Sequence, residues 1–134
     1  MGQNLAAQTA RLAAGGIGFP ALDAASNLST SLNNQTHQQI AASQTKTLLG
    51  ATGAVNDQLD GILVVPATTS PGAISLYDGS GSTAIVLFTG GATSVADLKP
   101  FFVPIRSRAA TVATPGWYVT TGAAVSVVAV GNFT

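Results

Sequence analysis

The sequence contains no cysteine, no glutamate and only one histidine, His37. Without cysteine there are no disulfides, no thiolate catalysis and no sulfur-ligated metal site. A hydrolytic triad needs a rigidly held histidine, whereas His37 lies in a polar run from residue 33 to 39 and is expected to be solvated. One histidine without cysteine also disfavours catalytic zinc. We therefore expect no catalytic residues, no metal and no cofactor, and predict that the protein is not an enzyme.

Charge is also scarce. Only 7% of the 134 residues are Asp, Glu, Lys or Arg, and the formal net charge is zero, whereas an average soluble domain has about 25% charged residues. The basic patch that nucleic-acid binding requires is missing, so we expect no nucleic-acid partner. Because proteins near zero net charge tend to associate, the composition favours a homo-oligomer.

Long apolar runs are absent although 46% of the residues are hydrophobic. A membrane-spanning helix needs about 20 continuous apolar residues, and glycine, proline and threonine interrupt every candidate stretch here. Near the N-terminus Arg11 comes late, and Gly15-Gly16 and Pro20 break the apolar segment that a signal peptide requires. We expect neither a transmembrane segment nor a signal peptide.

Residues 1–44 are predicted to form an N-terminal arm outside the core. Arg11 and Asp23 are the only charged residues there, and Gln, Asn, Ser, Thr and Ala dominate. Such a segment has too few anchors for an isolated helix, so we expect an extended, partly helical or irregular arm. It either stays flexible until a partner orders it or lies across a neighbouring subunit. Its candidate partner-contact residues are Ile17, Phe19, Pro20, Leu22, Leu28 and Leu32.

Residues 45–134 are predicted to form an all-β domain. Short runs rich in Val, Ile, Thr, Phe and Tyr alternate with turns that contain Gly or Pro. The runs lie too close together for intervening crossover helices, so the strands are mostly antiparallel, as in a β-sandwich, a jelly roll or a barrel. The predicted strands are 45–49, 62–67, 73–77, 84–89, 101–105, 117–121 and 125–130.

Several of these strands are apolar on both faces. The clearest hairpin runs from Ala73 to Thr89, and its return strand is apolar throughout, as are residues 62–65 and much of residues 125–130. An antiparallel sheet of a monomer normally has one polar face. We therefore expect another subunit to cover the outer face, which makes a homo-oligomer, with a trimer favoured, the stable form.

Proline and arginine mark one segment of this domain. Pro100 and Pro104 bracket Phe101-Phe102-Val103, which predicts an edge strand or an ordered loop because proline donates no ladder hydrogen bond. Arg106 and Arg108 alternate, so in an extended chain they point the same way. They either bind an acidic partner surface or form a plain solvated patch.

Two further groups have alternative interpretations. Asp57 and Asp60 share one face if the chain forms a helical turn there, as a calcium site requires, but a turn or capping role is favoured because no glutamate closes a calcium loop. Trp117 and Tyr118 include one candidate sugar-stacking ring. Because adjacent strand residues face opposite sides, we favour one aromatic in the core and one at a subunit boundary.

The segments Leu49–Gly72 and Thr120–Gly131 resemble small virion proteins of tailed bacteriophages in the residues of their strand-like and turn-like stretches. This resemblance covers about the last 90 residues and not the arm. It implies a β-sandwich that decorates or cements a capsid, or that belongs to a head fibre or spike, and it implies no catalytic residues. The expected partners are the major capsid protein or other virion proteins, and the expected location is the capsid surface.

Two other functions remain open from the sequence. A tail, collar or fibre-base component of the virion would have the same composition, with the arm docked in the connector. A carbohydrate-binding module would use Trp117 or Tyr118 as its stacking ring.

Overall fold

Eight antiparallel strands make up the fold of residues 35–134, the part of the chain that the computed structural model describes. Residues Thr36–Thr134 form one compact unit. The strands are β1 (Thr36–Ile40), β2 (Thr47–Leu48), β3 (Gln58–Pro66), β4 (Ile74–Asp78), β5 (Ile85–Phe88), β6 (Phe101–Arg108), β7 (Trp117–Thr121) and β8 (Val125–Asn132).

The strands form two four-stranded sheets with a nested pairing pattern. Sheet I has the order β1-β8-β3-β6, and sheet II has the order β2-β7-β4-β5. The pairs β1–β8, β2–β7, β3–β6 and β4–β5 are all antiparallel. Residues 36–132 therefore form a long hairpin, with β4–β5 at its tip, that is rolled up so that successive pairs fall in alternate sheets. This arrangement is an eight-stranded jelly roll, and it confirms the predicted all-β, jelly-roll-like sandwich.

The core lies between the inner faces of the two sheets. Residues alternate along each strand, so Val125, Val127 and Ala129 of β8 are buried while the residues between them are half-buried. Trp117 and Val119 of β7 meet them from sheet II. Such interdigitation of two inner faces is the usual source of stability in a β-sandwich. The buried hydrophobic residues are Ile40, Leu49, Leu59, Ile62, Val64, Ile74, Leu76, Ala109, Trp117, Val119, Val125, Val127 and Ala129.

The predicted hairpin between residues 73 and 89 is confirmed by the pairing of β4 with β5. Gly79 has a φ of 87°, in the region that favours glycine, and allows the chain to turn after Asp78. Both carboxylate oxygens of Asp78 accept a hydrogen bond from the Ala110 amide at 3.0 Å, and one also accepts from the Thr111 amide at 3.1 Å. Asp78 therefore ties the hairpin loop to the chain between β6 and β7.

The proline-containing segment is an edge strand, as predicted. β6 lies at the end of sheet I and pairs with β3 alone. Pro104 is inside β6, and Pro100 immediately precedes it. Because proline has no N–H to donate, these residues limit the addition of a further strand at this edge.

The β domain begins at Thr36, and not at residue 45 as the sequence suggested. β1 pairs with β8 from Thr36 opposite Gly131 to Ile40 opposite Val127, and Ile40 is buried in the core. The following residues are also tied down, because the Thr121 hydroxyl donates to the Ala41 carbonyl oxygen at 2.6 Å. Placing residues 36–44 in the arm was therefore wrong. The first four of them are polar, but pairing with β8 holds Thr36–Ile40 in sheet I.

Candidate interaction surface

The outer face of sheet I is largely apolar, because β3 and β8 carry hydrophobic residues on both sides. In β3, Ile62 and Val64 are buried inward, and Leu63 and Val65 alternate with them on the outer side, where they are half-buried. In β8 the outer positions include Val128, which lies opposite Leu63, and Val130, while Ser126 lies opposite Val65. We call this surface the apolar face. It consists of Leu63, Val65, Phe102, Val128 and Val130.

Strand register brings these side chains into one continuous strip. Leu63 lies opposite Val128 on one side and opposite Phe102 on the other. The side chain of Phe102 is 51% exposed. Its ring lies over Gly61, where an added Cβ would overlap the ring atoms. A glycine at position 61 therefore leaves room for the Phe102 ring, and the apolar strip extends from β8 across β3 to β6.

Polar residues border the strip along β1. His37 and Gln39 are exposed, and they lie opposite Val130 and Val128. The expectation that His37 is solvated agrees with this exposure, although its backbone belongs to a strand. The apolar face is therefore about three strands wide, which corresponds to two inter-strand spacings or about 10 Å.

The outer face of sheet II is different and carries polar groups. We call it the polar face and define it by Ser75, Tyr77, Tyr118 and Thr120, of which Ser75 lies opposite Thr120 and Tyr77 opposite Tyr118. Lys46 covers part of it, with its Nζ 4.7 Å from the centre of the Tyr77 ring and 2.7 Å from the Ser80 carbonyl oxygen. This pattern is typical of a sheet surface that faces water.

The two neighbouring aromatics of β7 point to opposite sides. Trp117 is only 3% exposed, and its Nε1–H donates a 2.9 Å hydrogen bond to the Asp57 carbonyl oxygen. Tyr118 is half-buried on the polar face. One aromatic in the core is therefore confirmed. The suggestion that Trp117 is a sugar-stacking ring was wrong, because a buried indole presents no surface to a ligand.

Asp57 has a structural role in the loop between β2 and β3. Its carboxylate accepts hydrogen bonds from the Ala54 amide at 3.0 Å, the Thr134 amide at 3.3 Å and the Thr134 hydroxyl at 3.0 Å. The main-chain oxygen of Thr134 in turn accepts from the amides of residues 51, 52 and 53. This network confirms the turn role that was favoured for Asp57.

The alternative of a helical turn that brings Asp57 and Asp60 together was wrong. Asp57 precedes β3, while Asp60 lies inside β3 at an irregularity in the ladder. Asp60 accepts a 2.8 Å hydrogen bond from the Gln58 side-chain amide. Within residues 35–134, no three His, Cys, Asp or Glu side chains are grouped so that they could hold a metal ion.

Arg106 and Arg108 are both exposed at the end of edge strand β6. Arg106 has a φ of 53°, so the chain is not regularly extended there. The idea that the two side chains point the same way assumed regular alternation, which this backbone conformation interrupts. Lys99 and Asp97 form the one ion pair among the described residues, so neither arginine is paired with a described carboxylate.

The remaining candidate contact residues belong to the first 34 residues and lie outside the described part of the chain. They are Ile17, Phe19, Pro20, Leu22, Leu28 and Leu32. Sequence reasoning found that β3, β8 and the hairpin's return strand β5 are apolar on both faces, but it missed that β3 and β8 are neighbours in sheet I while β5 is an edge strand of sheet II, where Ile85 and Val86 are exposed. That distinction depends on which strands share a sheet, and no local pattern carries this information.

No helix in residues 35–134 is long and apolar enough to cross a membrane. No protein-family model, curated protein or solved structure matches the chain.

Proposed function

We propose that this protein is a structural component of a bacteriophage particle that decorates or cements the capsid through its β domain and N-terminal arm. The observation that carries the proposal is the apolar face in a domain with very few charges. Monomeric proteins rarely leave a large apolar surface exposed, and such surfaces mark sites of contact with other proteins. The work of the protein is therefore contact, and the proposal includes no catalytic step.

The chemistry of the surface supports a protein partner. Interface cores are depleted of charged residues and enriched in aromatic ones, and the apolar face has no charged member and contains Phe102. The jelly roll also occurs in viral capsid domains. That is an analogy at the level of the fold, and folds host many functions, so it ranks below the surface itself as support.

The proposed assembly is a homo-oligomer, with a trimer favoured, seated on the major capsid protein at the outside of the shell. A cement acts by distributing many weak contacts over a lattice, and avidity strengthens them without a strong single site. Apolar contacts within such an assembly are not screened by salt as charge pairs are.

Electron cryomicroscopy of particles that contain the chain tests this function. We expect the jelly roll on the outer surface of the head, in copies that follow the capsid lattice. A few copies at the tail, collar or fibre base would replace the decoration role with the other structural role. Absence of the chain from the particle would end both.

A second candidate function rests on the polar face. Tyr77 and Tyr118 are opposite each other on neighbouring strands, and aromatic rings on a surface can stack against sugars. Jelly rolls also occur in lectins. If the domain binds carbohydrate, glycan-array binding will disappear with Tyr118→Ala and persist with Phe102→Ala, while both variants keep the fold. Equal binding by all three proteins would exclude the polar face as a sugar site.

A further inference from the structure

The apolar face has a width that suits a single segment of chain. Its strip crosses β8, β3 and β6, which is about 10 Å, similar to the diameter of one helix or one extended segment with its side chains. A whole second sheet laid on sheet I would also cover His37 and Gln39, which are exposed beside the strip. Burying those polar groups without partners is unfavourable. The width of the apolar strip and the polar residues along its border therefore favour a narrow segment of chain as the occupant.

The chain itself contains a segment with suitable chemistry. Three large hydrophobic residues and a proline fall within six positions, at Ile17, Phe19, Leu22 and Pro20. Arg11 and Asp23 are the only charged residues in the first 34. An uncharged segment with several apolar side chains matches an apolar strip that has no charged member.

The connection is long enough to reach another molecule. The described chain enters sheet I at Thr36, the first residue of edge strand β1. About 14 residues separate Leu22 from Thr36, which span up to about 46 Å when extended. A domain of about 100 residues has a radius of gyration of about 13 Å. The segment can therefore pass beyond the domain to which it is attached.

From these observations we infer that the apolar face binds residues 17–22 from the arm of a neighbouring copy. The inference deepens the proposed structural role, since it names the contact that joins the copies. Each copy gives one arm and receives one, so the contact is heterologous, and it closes into a ring when the rotation between copies permits. A ring of three agrees with the favoured trimer.

Cysteine cross-linking tests this inference cleanly, because the natural sequence has no cysteine. Full-length Phe19→Cys protein is mixed with full-length Val128→Cys protein of different mass, the mixture is allowed to exchange subunits, and it is then oxidised. We expect a disulfide-linked heterodimer of the two chains. The matched control replaces Val128→Cys by Thr120→Cys on the polar face, and its yield should be about tenfold lower because the arm raises the effective concentration only at its docking site.

Three outcomes would overturn the inference. Equal yields with Val128→Cys and Thr120→Cys would show that the arm does not select the apolar face. Dominant Val128→Cys homodimers would show that two apolar faces pack together. A link within one chain in the Phe19→Cys/Val128→Cys double variant, without a link between chains, would show that each arm covers its own domain.

Two checks keep the result interpretable. Circular dichroism and thermal unfolding confirm that each variant folds, and Leu63→Cys, opposite Val128 on the same strip, gives an independent second position. The cross-link is measured on purified protein, so its result does not depend on where the chain lies in a particle. A cross-link with no chain found on particles would reject the proposed function alone, and the reverse pattern would reject the arm contact alone.

Discussion

The two outer faces of the sandwich differ in character although one short chain forms both. The polar face has Ser75 opposite Thr120 and Tyr77 opposite Tyr118, with Lys46 over one tyrosine. The apolar face has Leu63 between Val128 and Phe102. In sheet II the central strands β4 and β7 alternate in the usual way, although the edge strand β5 also exposes Ile85 and Val86. Among the central strands of the two sheets, outward-facing hydrophobic residues are concentrated in β3 and β8 of sheet I, where we propose that protein covers the sheet.

This difference affects the free energy that each face can contribute to association with another protein. Complete burial of a Val, Leu or Phe side chain contributes about 1.5–3 kcal/mol relative to full exposure. The residues of the apolar face are half-buried or exposed within the domain, so part of that contribution is still to be gained. On the polar face the same covering would remove hydroxyl groups from water, which is unfavourable unless each finds a new partner.

The largest loss in the free energy of unfolding is expected for a substitution in the core, which supports both faces. Trp117→Ala should lower the free energy of unfolding by about 3–5 kcal/mol, because it leaves a cavity where a large buried side chain packed. Its neighbour Tyr118→Ala, on the polar face, should lower that free energy by only about 1 kcal/mol. Chemical denaturation followed by circular dichroism measures both. Similar losses for the two variants would contradict the inward and outward assignment of β7.

The next largest loss of stability is expected in the loop between β2 and β3, one of the connections between the two sheets. Asp57→Ala removes the acceptor for the amides of Ala54 and Thr134. Leaving these donors unsatisfied should lower the free energy of unfolding by about 1–3 kcal/mol. Asp97→Ala is the matched control, because Asp97 is exposed and its 3.8 Å pairing with Lys99 is on the surface, where ion pairs contribute about 0–1 kcal/mol. Equal denaturation midpoints for the two variants would exclude a structural role for the Asp57 network.

Substitutions at two similarly exposed edge residues, one in each sheet, test directly whether the two faces differ in self-association. Phe102 on the apolar face is 51% exposed and Val86, opposite Ser75 in sheet II, is 54% exposed. Phe102→Lys should weaken self-association at least about tenfold, or about 1.4 kcal/mol, because a charge is placed in an interface core. Val86→Lys should leave self-association unchanged. Light scattering over a concentration series measures this, and equal weakening by both would remove the distinction between the faces.

The smallest loss of stability is expected for a substitution on the polar face. Lys46→Ala removes an ammonium 4.7 Å from the Tyr77 ring centre, and such an exposed contact contributes about 0.5–1 kcal/mol. Lys99→Ala serves as the control. Thermal unfolding should show a small decrease for the first variant and none for the second, with association unchanged in both. Loss of association with Lys46→Ala would mean that the polar face also binds protein.

Much of the fold follows from local sequence signals. The hairpin of β4 and β5 is visible because an alternating segment and an apolar segment flank an Asp-Gly turn, and the edge position of β6 is visible from Pro100 and Pro104. β1 was missed because Thr36, His37 and the two glutamines show no apolar face, and Ile40 is its one buried residue. What holds this strand is its non-local pairing with β8, together with Gln38, whose side chain bonds the Leu48 carbonyl oxygen and the Gly50 amide.

The sequence predicted that the domain has an apolar outer face, but it did not predict where that face lies. Because residues 62–65 and much of residues 125–130 are apolar on both faces of their strands, the sequence indicated that other protein covers the sheet. That these two segments are neighbours in sheet I, with Phe102 beside them, depends on pairings between residues far apart in the chain. A small residue at position 61 is likewise explained only once the Phe102 ring is seen to lie over it.

Sedimentation velocity of the unaltered full-length chain across a range of micromolar concentrations tests the central claim, that other protein covers the apolar face, most directly. We expect an oligomer, with three copies favoured, whose population falls with dilution. A single species with the mass of one chain at every concentration would contradict self-association through the apolar face.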